Sequence, residues 1–379
     1  MKIAYLTHED ISRPSGVTNK MNGQITQWKE TGVQTKLFSL KSSKPDSPVI
    51  DSEILSVCTS KKFSRKYLAM AQSVTQLRKK LALFQPDIIY TRALLYVPNL
   101  ISTLKRAAPY VVEINSNDVA ELKTFSRAGH WYNLLTRDLF FKNAAAFVCV
   151  SQELSLIEPF AKYRKPTLVI GNGIDTQKYK NIPSTAPSGG PCRFVFIGTP
   201  GQSWHGIDKI AFLASALQNE HFTIIGLTVQ ELEKELNYNV PSNLEAIGYL
   251  DDQASSEAIA SAHIGIGTLS LYAKELEEAS ALKVRQYLAL GLPVILGYKD
   301  TDLSSHSEPF ILELPNTPDN ISAHIEEIKR FSISARGIDR TLIRDFAARV
   351  LDTRVKEHQR IVFFQSVLSN VSLFSKKKK

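Results

Sequence analysis

Short apolar, β-branched runs recur along this chain, each followed by a stretch of helical periodicity, and that alternation limits the fold more than any other feature. Residues 2–6, 33–38, 87–90, 110–114, 146–150 and 167–170 read as buried strands, and the stretch from Gly16 to Glu30 reads as a helix closed by Thr31-Gly32. Apolar runs with helices between them indicate parallel sheets covered on both faces. A second series of the same kind starts at 193–198 and continues through 222–225, 244–248, 264–267, 293–296 and 311–314. Between the two lies Asn181-Ile182-Pro183-Ser184-Thr185-Ala186-Pro187-Ser188-Gly189-Gly190-Pro191, too rich in Pro, Gly and Ser for regular structure. A chain of 379 residues also exceeds what a single core usually organises. The expected architecture is α/β: a first Rossmann-like domain over 1–180, a linker over 181–192, a second domain over 193–353, a helix over 354–371 and a basic tail over 372–379. That helix has Ile361, Val362, Phe363 and Phe364 as its apolar centre.

Charge is divided unevenly. Residues 1–180 carry 26 Lys and Arg against 14 Asp and Glu, whereas residues 181–379 carry 20 against 23. A basic face attracts phosphates, nucleic acid or an acidic membrane leaflet, or serves solubility alone. The segment from Lys61 to Leu81 joins cations to Phe63, Tyr67, Met70, Val74, Leu77 and Leu81 at helical spacing. Such a helix packs on its own sheet or lies on a membrane surface. The run Lys376 to Lys379 is a weak electrostatic anchor or a solvated tail. Motifs with stacking aromatics are missing, which argues against nucleic acid as a partner. No run reaches the roughly 18 apolar residues of a spanning helix, and the first residues read as a strand, not a signal peptide. Cys58, Cys149 and Cys192 are widely spaced, with neither a disulfide framework nor a metal-ligand pattern. The expected location is the cytoplasm, with the inner face of the cell membrane as a candidate.

Open α/β sheets bind ligands where strands end and helices begin. Three such junctions stand out. The loop Ser12-Arg13-Pro14-Ser15-Gly16 follows the first strand; Gly16 either lets a ligand approach or simply makes the turn. The loop from Gly198 to Gly206 follows the first strand of the second series and carries Trp204 and His205. It lacks the G-x-G-x-x-G spacing, so hydride chemistry on a dinucleotide is disfavoured. The third runs from Leu271 to Pro293. Here Ser280 reads as the N-cap of a helix that ends at Gly291, the N–H groups of Ala281 and Leu282 face an anion, and Lys283 adds positive charge. An ordinary amphipathic helix with acidic residues near its start fits the same local pattern.

Asn172-Gly173-Ile174-Asp175, the 198–206 loop, and Glu278-x-Ser280-x-x-Lys283-x-Arg285-Gln286-Tyr287-Leu288-Ala289-x-Gly291-x-Pro293-Val294 together resemble the family 4 glycosyltransferases, over nearly the whole chain. The resemblance implies a GT-B fold, with two Rossmann-like domains facing a cleft and the last helix returning to the first domain. It further implies a nucleotide-diphospho-sugar donor as co-substrate, retention of anomeric configuration, no metal and no other cofactor.

In the family two Glu residues separated by seven others mark the donor site. Glu278 matches the first, which contacts the transferred sugar, while Gln286 stands where the second binds ribose hydroxyls. Thr199 and His205, next to Gly206, replace the usual Arg and Lys that grip the diphosphate. Lys283, the helix start and a protonated His205 are the expected substitutes. On the acceptor side Asn115 takes the place of a His, with Glu113 and Asp118 nearby. Arg92 is either within reach of the acceptor or part of a surface ion pair. Tyr249 and Leu250 end a strand where a base can stack. The expected acceptor is a hydroxyl of a surface glycan or its lipid-linked precursor. A non-catalytic sugar-nucleotide or glycan binder and a nucleotide-sugar epimerase are the alternatives.

Overall fold

Lys2–Thr7 (β1) buries Ile3, Ala4, Tyr5, Leu6 and Thr7 in succession, on both faces, as a central parallel strand requires. The computed structural model describes residues 1–12, 15–43, 51–60 and 62–376. Arg13, Pro14, Lys61, the Phe63 side chain and the terminal lysine side chains, all noted above, lie outside the described residues. The chain divides into two units, Met1–Gly171 with Lys356–Lys379, and Asn172–Val355. The division falls ahead of residue 180, so 172–180, expected with the first domain, belongs to the second unit.

In the first unit β1 is followed by α1 (Gly16–Glu30), β2 (Gln34–Ser39), β3 (Ser52–Ile54), α2 (Phe63–Phe84) and β4 (Ile88–Arg92). Then come α3 (Leu100–Ala107), β5 (Tyr110–Ile114), α4 (Asp118–Phe125), α5 (Arg127–Asn143), β6 (Ala146–Cys149), α6 (Gln152–Leu156), α7 (Glu158–Ala161) and β7 (Thr167–Val169). The sheet order is β3-β2-β1-β4-β5-β6-β7, parallel throughout. The chain winds outward from β1 to β3 and then returns to β4, so the carboxyl ends of β1 and β4 flank a topological switch point. Ser15 starts α1 through a capping box with Thr18, and Met21, Ile25 and Trp28 are buried along one stripe. The basic helix α2 buries Met70, Val74, Leu77 and Leu81 within this unit. Strand β3, only three residues long, is absent from the apolar pattern of the sequence.

The second unit contains β8 (Arg193–Ile197), α8 (Ile207–Ala216), β9 (His221–Ile225), α9 (Val229–Leu236), β10 (Leu244–Ala246), α10 (Asp252–Ala260) and β11 (Ile264–Ile266). It continues through β12 (Glu278–Ala279), α11 (Leu282–Ala289), β13 (Val294–Leu296), β14 (Lys299–Asp300), β15 (Ile311–Glu313), α12 (Ile325–Ala335) and α13 (Arg340–Val350). Its parallel sheet has the order β10-β9-β8-β11-β13-β15, which places the switch point between β8 and β11. A separate two-stranded ladder joins β12 to β14. Residues 181–192 carry no regular helix or strand and belong to this unit.

The last helix, α14 (Thr353–Lys376), belongs to the first unit from Lys356 onward. Its buried stripe is Lys356, Glu357, Arg360, Phe364 and Val367, while Val362, expected in the apolar centre, is exposed. Glu357 Oε2 accepts from Trp28 Nε1 at 2.8 Å and from Arg360 Nε at 2.8 Å, and Arg360 Nη1 donates to the Tyr90 hydroxyl at 2.9 Å. Tyr5, Trp28, Tyr90 and Phe364 pack ring against ring around this ion pair. The helix is held by a buried, fully engaged charge pair set in aromatic packing.

Candidate functional site

The loop leaving β8 turns sharply back on the sheet. After Gly198 it forms a 3-10 turn, Ser203–His205, and Gly206 starts α8 at φ +73°. A Cβ on Gly206 would lie 2.9 Å from both Leu269 Cβ and Ser270 Oγ, so only glycine fits. Leu269 and Ser270 donate their N–H groups to the carbonyls of His205 and Trp204 at 3.2 and 3.1 Å, which fastens this loop to the one after β11. Both loops edge the switch point of the second sheet.

Cations and aromatic rings gather at this edge. Lys283 Nζ sits 3.8 Å over the Phe196 ring, and Lys274 Nζ sits 3.6 Å over the Trp204 ring. His205 lies edge-on to Phe196 at 5.2 Å, and a Cβ on Gly198 would approach its Nδ1 to 2.8 Å. Among the described residues neither Lys283 Nζ nor His205 Nδ1 has a hydrogen-bond partner, although both are buried. Burial pushes the Lys283 ammonium well below the ordinary lysine range. Burial, with Lys283 and Lys274 adding repulsion, pushes His205 down to about 2 against a hydrogen bond to the Thr199 backbone. The expected protonated His205 is therefore corrected: in a site desolvated first of all by burial, beside Lys283 and Lys274, the imidazole stays neutral. Thr199 itself is exposed and contributes its backbone to the His205 ring.

The helix start also differs from expectation. α11 begins at Leu282 behind Ala281, and Ser280 is not its cap. Ser280 Oγ instead accepts the Asn172 N–H at 2.6 Å, and the Ser280 carbonyl accepts from Asn172 Nδ2 at 2.5 Å. The Ala281 N–H is engaged by the Tyr298 hydroxyl, so it is not open to an anion as expected. Arg285 is buried, pairs through both terminal nitrogens with Asp300 and also with Asp302 at 2.7 Å, and donates Nε to the Asn172 carbonyl at 3.2 Å. Glu278 lies in β12 opposite Lys299 and is half-buried. Gln286, one turn into α11, donates Nε2 to Ser256 Oγ at 3.4 Å. Leu282 is half-buried at the helix start, and Tyr249 is exposed.

In the first unit a second polar cluster lies at the carboxyl ends of β1, β4 and β5. Lys20 Nζ is 2.7 Å from Glu113 Oε1 and donates to Asn115 Oδ1 at 2.9 Å. Arg92 lies 3.3 Å from Glu9 Oε1 and 3.8 Å from Glu113 Oε2. Arg92 is thus a largely buried member of the cluster, not a surface ion pair. Burial alone would raise the Glu113 carboxyl; Lys20, Arg360 and Arg92 outweigh it and hold the group well below the carboxylate range. Burial lowers Lys20 to about 8 despite Glu113. His8 is lowered chiefly by burial, and its Nδ1 has no hydrogen-bond partner among the described residues. Asp118 is absent from the cluster. It forms a bidentate pair with Arg137, at 2.7 and 3.0 Å, and accepts from Asn133, which locks α4 to α5. Gly16 is exposed at the start of α1.

Sequence reading overlooked His8, Glu9, Lys20 and Lys274. His8 and Glu9 follow the first strand directly, a position that could have flagged them. Lys20 and Lys274 give no local signal, because their partners come from elements distant in sequence. Among the described residues no three His, Cys, Asp or Glu side chains gather as a metal site would need.

No protein-family model matches the chain, and no curated protein sequence matches it. Solved structures do resemble it. Sucrose-phosphate synthase from Thermosynechococcus elongatus superposes with a TM-score of 0.75 at 14% identity, covering 97% of this chain and 99% of that one. The catalytic domain of starch synthase IV from Arabidopsis thaliana, bound to ADP and acarbose, gives 0.68 at 11%, covering 97% and 99%. HepE of Anabaena, in complex with UDP and glucose, gives 0.63 at 15%, covering 97% and 100%. At these identities the likeness establishes the fold, the GT-B pairing of two parallel-sheet α/β domains.

Proposed function

We propose that this protein is a retaining, metal-independent glycosyltransferase that moves a sugar from a nucleotide-diphospho-sugar to a hydroxyl of a glycan or lipid-linked acceptor, at the inner face of an anionic membrane. The observation that carries the reading is the buried Lys283 ammonium, without a hydrogen-bond partner among the described residues, at the switch point of the second sheet. A buried amine without a partner resists protonation, and an anion bound beside it restores the charged form. The structures it resembles include proteins bound to UDP or ADP, which fits a nucleoside diphosphate as that anion.

In this reading Lys283 and Lys274 take the diphosphate, in the place of the family's Arg and Lys. Thr199, His205 and Gly206 shape the loop that borders it, with His205 neutral. Ser280, Ala281 and Leu282 set the start of α11, and Gln286 meets the ribose hydroxyls, exchanging its bond to Ser256. Glu278 contacts the transferred sugar and stabilises positive charge at its anomeric carbon. The bond from that carbon to the diphosphate breaks, the acceptor oxygen bonds on the same face, and the leaving phosphate takes the acceptor proton. Cations preorganised beside a leaving diphosphate stabilise the charge that develops there. Asn115, Glu113 and Arg92 orient the acceptor, joined by Lys20, Glu9 and His8.

A thermal-shift screen against UDP-, ADP- and GDP-sugars identifies the donor by its stabilisation of the folded protein. With that donor and a glycan acceptor the wild type turns over in the presence of a chelator and yields the retained anomer. Glu278→Ala keeps nucleotide affinity and loses turnover by about a thousandfold. Wild-type binding without any turnover would show a sugar-nucleotide binder instead; release of a modified sugar without acceptor would show an epimerase.

A further inference from the structure

Helix α5 carries a stripe of large apolar residues on its outer face. Trp131 is 65% exposed, Leu134 40%, Leu135 80% and Leu139 49%, at the spacing of one helical face. Its inner residues, Gly129, Asn133, Arg137, Phe140 and Phe141, already complete the packing of the helix on its unit, so the stripe has no role in that core. Four large apolar side chains side by side on a surface mark an interaction site.

Cations lie near both ends of the stripe and along one flank. Arg127 begins the helix and Lys142 ends it, both exposed. Beyond Leu139 lies a surface depression of about 520 Å³ whose lining includes Tyr96, Lys105, Arg106 and Leu139. Next to the depression, the Tyr132 hydroxyl meets the Tyr67 hydroxyl at 2.9 Å and the Tyr96 carbonyl at 3.1 Å, which ties the start of α2 to the same flank of α5. The first two turns of α2 add exposed Arg65 and Leu68. The single acid in the sequences of α2, α3 and α5, Asp138, is paired with Lys142 and Lys162. The net charge beside the stripe is therefore positive, with Asp138 neutralised by its lysine partners.

We propose that the α5 stripe, with the rims of α2 and α3, is the surface on which this protein docks to an anionic lipid bilayer. The apolar side chains enter the headgroup region while the surrounding cations meet lipid phosphates, with Lys105 and Arg106 holding one headgroup in the depression. A second copy is disfavoured, because it would bring the same basic rim against itself. No described helix is long and apolar enough to cross a membrane, and docking at the interface needs none. The surface deepens the membrane part of the proposed function and is independent of glycosyl transfer.

The test is sedimentation of the full chain with vesicles of phosphatidylcholine, with and without phosphatidylglycerol. Binding appears only with the anionic lipid and weakens as salt rises. Trp131→Ser with Leu135→Ser lowers the partition coefficient by about tenfold or more, as does Lys105→Glu with Arg106→Glu, both without change in thermal midpoint. Brominated acyl chains quench the fluorescence of the wild type but not of Trp131→Phe. Wild-type binding absent at low salt, or equal binding by all variants, overturns the proposal. So does a dimer in velocity sedimentation that Leu135→Ser dissociates while vesicle binding is unaffected. Failure of these experiments leaves nucleotide-sugar binding untouched, so the two readings fail separately.

Discussion

Lys283 decides the electrostatics at the switch point of the second sheet, because its amine is buried over Phe196 with no hydrogen-bond partner among the described residues. Its ordinary affinity for a proton is strongly weakened there by burial, and under the proposed function an arriving diphosphate restores it. Nucleotide binding is therefore expected to take up a proton, with affinity falling as pH rises. Calorimetry of UDP or ADP binding in buffers of unequal ionisation enthalpy reads this directly; equal heats would refute it. Lys283→Met should stabilise the empty protein by about 1–3 kcal/mol, since it removes a buried amine left without a hydrogen-bond partner among the described residues. The same change should weaken nucleotide binding by about tenfold to a hundredfold. Urea unfolding and titration measure the pair, and a less stable variant would contradict the account. His205 works in the opposite sense to a bound cation. The unfolded chain protonates it near 6.5 and the folded protein only near 2, so the folded state binds fewer protons between these values. Stability from this residue is thus complete above 6.5 and declines as pH falls below it. His205→Asn should flatten the acid limb of the stability curve relative to wild type, with no difference in slope above neutrality.

At the scale of elements, α14 shows how a short apolar motif leaves out the polar residues that share its buried stripe. Of Ile361, Val362, Phe363 and Phe364, Phe364 is buried and Ile361 and Phe363 pack partly buried on the same core, whereas Val362 is exposed, and the fully buried stripe also holds Glu357, Arg360 and Val367. Arg360→Ala leaves Glu357 buried beside Trp28 with its cation gone, at an expected cost of about 3–5 kcal/mol. Replacing Glu357 and Arg360 together with Leu and Met should recover most of that loss, as denaturant midpoints would reveal; a double variant as unstable as the single would point to another cause. The start of α11 carries a related lesson. Ser is a favoured cap by type, yet Ser280 is held by Asn172 and Ala281 occupies the cap position. Whether a residue caps depends on where the helix begins, which here is set by the β12–β14 ladder and by Arg285 holding Asp300.

At the scale of the molecule, the first unit is completed by the far end of the chain. Lys356 onward supplies the partner of Trp28, the donor to Tyr90, and the Phe364 ring packed on both. A chain shortened after Val355 should therefore lose the melting transition of the first unit while that of the second persists. Calorimetry, with Trp28 fluorescence as a local reporter, distinguishes this from uniform destabilisation. The concentration of positive charge in the first half belongs to the same scale. Some of it is internal, in Lys20, Arg92 and Arg137 paired with carboxylates, and some is displayed around α5.

The alternation of strands and helices, the two series and the identity of the loops at the strand ends were all legible in the residues. Local sterics and burial impose periods of two and 3.6, which a sequence displays directly. Tyr110–Ile114 could be read to the residue, because five consecutive positions are apolar or, like Glu113, buried with a partner. Strands β3, β12 and β14 were not legible, being too short to show a period. Which polar groups meet was decided only by the tertiary structure. Lys20 reaches Glu113, Asp118 turns to Arg137, and His205 is made neutral by burial and by cations brought from other segments. Charge state and hydrogen bonding depend on neighbours in space, and those neighbours come together only when the sheets order their strands.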